Sequence, residues 1–199
     1  MRELRRHVGV QLRAIKEAGP HKGLGSEDPS YTSLHECYDR GEGKASMLPL
    51  RQLIPPLTAR TPSGGAIRAW DYKQKKSLLI AFLHADCPMC QAFAARLVAR
   101  SSEFAERDSA ALLVSLDPPR WGVDATPQVV LASDTNGRAA QEYLGEEAFG
   151  PMGLARVGLF VTDRYSELYA QWEARDADGL PPLSDAFKWL TFTQMGCAG

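Results

Sequence analysis

No stretch of this 199-residue chain is apolar for long enough to cross a bilayer. The longest such run, Leu78–Leu83, falls far short of the roughly 20 residues a helical span needs. The N-terminus is basic but no apolar core of the secretory kind follows it. An excess of either charge is lacking as well. There are 23 Lys and Arg against 24 Asp and Glu, a net charge of −1 and a pI of about 6.4, which excludes a general affinity for polyanions. Cysteine is scarce, four in all, so no disulfide framework of the small secreted type holds this fold. No phosphate-cradling glycine pattern follows a strand, and no basic surface is interleaved with aromatics. Histidine stops early: His7, His21, His35 and His84 exhaust the supply. These absences predict a soluble, cytoplasmic protein with reduced thiols at rest and neither nucleic-acid nor membrane partners.

What remains is an ordinary globular balance, 44% hydrophobic and 24% charged, enough to bury one sizeable core. Residues 2–18 carry an apolar stripe at Leu4, Val8, Leu12 and Ile15, with Arg2, Arg5, Arg6, Arg13 and Lys16 elsewhere. That pattern reads as a helix packed on its own domain or on a second subunit. A mitochondrial presequence and a membrane-surface helix are the other readings of a basic amphipathic segment. Residues 20–46 are glycine-rich and poor in aliphatics, a loop region holding His35, Glu36 and Cys37. The expected division is therefore a helical and loop extension over 1–49 and a folded domain over 50–199.

Within that domain short apolar runs alternate with helical patterns. Pro55–Thr61 is extended, Pro62–Gly65 is a turn, and Ala66–Trp70 alternates like a strand. Ser77–Leu83 reads as a buried strand, followed by a helix over about 88–108. Ala111–Leu116 and Gln128–Ala132 are further strands, and a helix through Ala139, Tyr143 and Leu144 ends at Gly145. Val157–Val161 and Glu167–Trp172 flank a hairpin turn. A terminal helix opens with Ser184 as its N-cap and carries Phe187, Trp189, Leu190 and Phe192. Strands alternating with helices, then a hairpin and a last helix, predict an α/β layered fold with a central mixed sheet. Ligands of such folds bind beyond the carboxyl ends of the strands.

At one such end stands Cys87-Pro88-Met89-Cys90. Pro88 suits the first helical position, which puts the Cys87 sulfur beside the unpaired amides and positive dipole end of a helix. That setting favours the thiolate, the reactive form, and Cys90 lies one turn later, close enough to displace whatever Cys87 captures. Asp86 works against it, because a neighbouring carboxylate opposes the anion. A Cys-x-x-Cys pair can also be half of a zinc site, but structural zinc takes four ligands, usually from two such pairs. Here Cys37 and Cys197 stand alone and His84 is three residues before Cys87. Two inert buried thiols are the remaining alternative.

The order of elements resembles the thioredoxin superfamily, and within it the AhpC/TSA branch of peroxiredoxin-like and thiol–disulfide proteins. The likeness runs from about Leu53 to Leu190. It is carried by Pro55–Tyr72 and Leu78–Cys90, then by Val129–Tyr143, which looks like the branch's inserted strand and helix, and by Gly158–Asp163. The resemblance implies a three-layer α/β/α thioredoxin-like domain behind an N-terminal helical extension. It also implies an oxidoreductase with Cys87 and Cys90 at its centre. Peroxiredoxins carry Pro-x-x-x-Thr/Ser-x-x-Cys. With Cys87 in the peroxidatic place the matching residues are Ile80 and His84; with Cys90 there they are Leu83 and Cys87. Neither register supplies the proline or the hydroxyl. The superfamily's cis-proline position falls at Val157, beside Arg156, which either steadies a thiolate or oxyanion or is a surface arginine.

Thiol–disulfide exchange is accordingly the first expectation, with a peroxiredoxin-like thiol peroxidase as the alternative and Cys37 or Cys197 as auxiliary resolving thiols. A metal-binding thioredoxin-fold module ranks behind both, since copper carriers of that fold add a downstream histidine that this chain lacks. Expected partners are a protein or small-molecule thiol or disulfide and a thiol reductant, with no cofactor or metal beyond the redox-active disulfide. Pro88, Met89, Asp86, His84, Arg156 and Val157 are the expected neighbours of the pair. The N-terminal helix and the Phe187, Trp189 and Phe192 cluster are the candidate contacts of a homodimer.

Overall fold

The computed structural model describes residues 48–151 and 153–195. The helix expected over 2–18, the loop region 20–46, Cys37 and Cys197 lie outside them.

The centre of the domain is a seven-stranded mixed sheet. Its strands are β1 (Thr58–Arg60), β2 (Ala66–Arg68), β3 (Ser77–Phe82), β4 (Ser109–Ser115), β5 (Val129–Ser133), β8 (Val157–Thr162) and β9 (Leu168–Ala174), ordered β2-β1-β5-β4-β3-β8-β9. A separate two-stranded ribbon is formed by β6 (Phe149–Gly150) and β7 (Gly153–Leu154). Strands β3, β4 and β5 run parallel, while β8 lies antiparallel to β3 and pairs in turn with β9. The helices are α1 (Pro88–Ala99), α2 (Ser101–Glu106), α3 (Arg138–Leu144) and α4 (Leu183–Met195).

Strands β3 and β4 are apolar without alternation because both faces of the sheet are covered. On one face Leu79, Ala81, Ala111, Leu113, Leu159 and Val161 meet Phe93 and Leu97 of α1, Phe104 of α2 and Phe187 and Leu190 of α4. On the other, Leu78, Ile80, Phe82, Leu112 and Phe160 meet Tyr143 and Leu144 of α3. Phe82, Tyr143 and Phe160 form an aromatic triangle with centroids 5.1–6.0 Å apart. This is the expected three-layer α/β/α thioredoxin-like arrangement.

Three local expectations need correction. The helix over 88–108 is two helices broken at Arg100 (φ −104°, ψ 22°), where the Arg100 guanidinium turns to pair with Glu103. The break drops Phe104 into the core against Phe187, centroids 4.8 Å apart. The strand beginning at Ala66 stops at Arg68, since the Asp71 carboxylate accepts the Arg68 N–H at 3.1 Å and bends the chain into a 3₁₀ turn over Ala69–Tyr72. The terminal helix starts at Leu183, so Ser184 lies inside its first turn and is not the cap. Its aromatic cluster is largely spent within the domain: Phe187 is buried, and Phe192 packs on Trp189 and Tyr169.

Gly158 lets β8 pass beneath α3. A Cβ there would collide with Leu144 Cδ2 and sit 2.9 Å from Phe160 Cε2. Gly158→Ala should therefore destabilise the domain by about 1–3 kcal/mol through overpacking, seen as a lower urea midpoint at unchanged slope.

Candidate active site

The chain leaves the sheet at the carboxyl end of β3. Leu83 donates its N–H to Val114 O at 2.8 Å, the last tie to β4, and the backbone then swings through His84–Asp86 into α1. Cys87 is the N-cap of α1 in extended conformation (φ −93°, ψ 124°), and Pro88 takes the first helical position. A cap residue offers its side chain to the free amides of the first turn. Here the Cys90 N–H donates to Cys87 Sγ at 3.4 Å. Gln91 N–H bonds the Cys87 carbonyl at 2.9 Å and opens the helical ladder.

One helical turn separates two different thiols. Cys87 is half-buried, whereas Cys90 is fully buried in the apolar cluster that holds Phe93, Trp121, Val157 and Ala177. Burial pushes the Cys90 thiol up to about 12. Its hydrogen bond to Cys87 adds to that, while the backbone N–H groups of His84 and Ala177 pull the other way. Pro88 and Met89, between them, face solvent.

His84 lies against both sulfurs. One donor atom from each of His84, Cys87 and Cys90 falls within 4.8 Å of the others. Burial holds the imidazole below its usual pKa, opposed by the charge of Asp176 and the Leu154 carbonyl, so the ring is neutral at pH 7. Its Nε2 is buried without a hydrogen-bond partner. Leaving such an atom unpaired costs on the order of 1–3 kcal/mol. These three residues are the set that can hold a metal ion among the described residues.

The remaining expected neighbours fall into two groups. Asp86 is exposed, its carboxylate 3.5 Å from Arg120 in solvent, a pairing of little energetic weight. Val157 is buried in the same apolar cluster as Cys90, and no peptide bond among the described residues is cis. Arg156 is committed to Glu173 on β9, Nε to Oε1 2.7 Å. Burial raises the Glu173 carboxyl, and Arg156 counters that.

Two supports of the site carry no motif in the sequence. Trp121, buried in the β4–β5 connection, donates its indole N–H to the His84 carbonyl at 2.8 Å, and Arg120 N–H bonds Ala85 O at 3.3 Å. Gln91 reaches back to the Arg120 carbonyl at 3.0 Å, tying that loop to α1. Opposite them, Asp176 Oδ1 accepts from the amides of Asp178 and Gly179, each at 3.1 Å, and shapes the 3₁₀ turn that presents Ala177 to Cys90. A lone tryptophan in a proline-rich loop and an Asp-Ala-Asp-Gly turn were the available signals.

Residues 50–171, more than half of the chain, match the AhpC/TSA family. The chain belongs to the AhpC/TSA family. It is an oxidoreductase, and its chemistry is thiol-based redox chemistry. The fold is shared with the reduced 2-Cys peroxiredoxin of Plasmodium vivax (TM-score 0.62, 14% identity, 73% of this chain and 82% of that one). It is likewise shared with a cysteine-to-serine mutant of peroxiredoxin 6 of Arenicola marina (TM-score 0.61, 14% identity, 76% of each chain). No curated protein matches the sequence. No helix among the described residues is long and apolar enough to cross a membrane.

Unequal access should make the two thiols chemically distinct. Brief alkylation of the native, reduced protein should label Cys87 and spare Cys90, which should react only after unfolding; peptide mass spectrometry reads both sites. Equal labelling would mean that Cys90 is not enclosed as described.

Proposed function

We propose that this oxidoreductase works by dithiol–disulfide exchange through Cys87 and Cys90. The observation that carries the reading is the division of one helical turn into an accessible sulfur at the N-cap and an enclosed sulfur behind it. Cys87 as thiolate attacks a substrate disulfide, forming a mixed disulfide and expelling the first substrate thiolate. Cys90 then attacks the Cys87 sulfur, an intramolecular disulfide forms, and the second substrate thiolate leaves, taking up the proton that Cys90 sheds. The sum is enzyme dithiol plus substrate disulfide giving enzyme disulfide plus two thiols. An external thiol reductant, in a cytoplasmic setting, resets the pair. The redox-active group is the dithiol itself.

Family membership favours a second reading in which the first substrate is a peroxide. Cys87 would be oxidised to sulfenic acid with release of an alcohol or water, and Cys90 would condense with it, releasing water and giving the same disulfide. Ile80 and His84 stand where a peroxiredoxin has its proline and hydroxyl, and Ile80 is sealed inside β3. That departure supports exchange over peroxide reduction.

Cys90→Ser separates the two. Under exchange it should accumulate mixed disulfides on Cys87, visible on non-reducing gels and lost in a Cys87→Ser/Cys90→Ser double variant. Under peroxide reduction, wild-type protein should consume hydrogen peroxide with a dithiol reductant and the Cys90→Ser variant should accumulate sulfenic acid. If Cys90→Ser captures no partner and the wild type consumes no peroxide, both readings fail.

A further inference from the structure

We propose that the reduced site binds one thiophilic d¹⁰ ion, Cu(I) or Zn(II), through Cys87 Sγ, Cys90 Sγ and His84 Nε2. Three soft or borderline donors from a span of seven residues converge here, each within 4.8 Å of the other two. The fold brings them together from different local structures: His84 from the exit of β3, Cys87 from the helix cap, Cys90 from the first turn of α1. Metal–sulfur bonds of about 2.3 Å and metal–nitrogen bonds of about 2.0–2.1 Å keep donor atoms roughly 3.5–3.8 Å apart, so only a small inward closure is needed. Cys87, half-buried and at the cap, is the donor with room to move.

His84 makes this more than a dithiol. Its Nε2 is buried and unpartnered, within reach of both sulfurs. A buried ring nitrogen without a partner, facing two thiols, is a donor that a soft ion can satisfy. The nearby carboxylates are occupied elsewhere: Asp176 caps its own 3₁₀ turn and Asp86 faces Arg120. Two thiolates and an imidazole without a carboxylate select Cu(I) or Zn(II) over Mg(II), Ca(II) or Mn(II). Three protein donors suffice for trigonal Cu(I) and leave tetrahedral Zn(II) one position for solvent on the Cys87 side. Binding replaces two S–H protons, released to the buffer, by two metal–sulfur bonds with no change of oxidation state. Formation of the Cys87–Cys90 disulfide removes both sulfur donors, so the ion and the disulfide exclude each other.

The test is anaerobic titration of the full-length, reduced chain with Zn(II) and separately with Cu(I), each competed against a chromophoric chelator. Expected is one equivalent of at least one ion, retained in a Cys37→Ser/Cys197→Ser variant and absent from disulfide-oxidised protein. His84→Ala should weaken binding at least ten-fold. Should that variant fail to fold, the ¹⁵N resonance of His84 Nε2 in the wild type, which should move on metal addition, replaces it. Retention of either ion in this pattern identifies it. Retention of neither, unchanged affinity in His84→Ala, an unmoved His84 resonance, or loss of binding on removing Cys37 and Cys197 overturns the proposal. The outcome is independent of disulfide exchange, which the Cys90→Ser capture assays separately.

Discussion

Strand β3 has helices packed against both faces and a partner strand on each edge. Its backbone polar groups are therefore consumed by β4 and β8, and its side chains by two separate cores. A polar side chain within such a segment needs a buried partner, as Ser77 at its start has in Thr193 at 3.1 Å, and from Leu78 to Phe82 every residue is apolar. The reactive groups stand where the strand ends, and there the chain bends sharply to start a helix. His84, Cys87 and Cys90 occupy that bend. The core thus dictates the position of the chemistry before any residue in it is chosen.

The bend itself has little regular structure, so side-chain hydrogen bonds and neighbouring loops must hold it. Trp121 secures the His84 carbonyl and Arg120 secures Ala85, while the Ala177 turn closes over Cys90 from the other side. Those contacts create the asymmetry between the sulfurs. Cys87 sits where a helix offers free amides and water can reach; Cys90, a single turn on, is walled in by the same residues that brace the loop. A buried thiol that keeps its proton is a poor opening nucleophile and a well-placed second one.

Much of this is readable from sequence because it is local. The apolar run Leu78–Leu83 and the short strand pattern Ala111–Leu116 announce buried strands, and a proline directly after a cysteine announces a helix start. What is not readable is what arrives from far along the chain. Trp121, Leu154 and Ala177 reach the site through loop geometry that no periodicity encodes. Arg156 shows the converse: its place beside Val157 suggests a role toward the thiols, yet Glu173, a cross-strand neighbour on β9, claims it. The break at Arg100 is hidden because Ser101, Ser102 and Glu103 continue a helical pattern, while the pull on Phe104 toward Phe187 is tertiary.

Were Cys87 the peroxidatic cysteine, His84 would stand where a peroxiredoxin offers a hydroxyl; were it Cys90, that place would fall to Cys87. A hydroxyl both donates and accepts hydrogen bonds at one atom, whereas a neutral imidazole divides the two between its nitrogens, and Nε2 of His84 is buried with no partner. Where that nitrogen carries the lone pair, it has no hydrogen to offer a peroxide oxygen. Its complements are a proton, such as that of a thiol, or an electron-poor metal ion. In the Cys87 register, the residue that stands for the hydroxyl is one that the proposed dithiol chemistry and the proposed metal site could each use. Which of the two prevails at a given moment follows from the sulfurs, since a disulfide ties up the electron pairs that an ion needs. On the proposed chemistry, one bend in the chain, set by the burial of β3, would couple the occupancy of the site to its oxidation state.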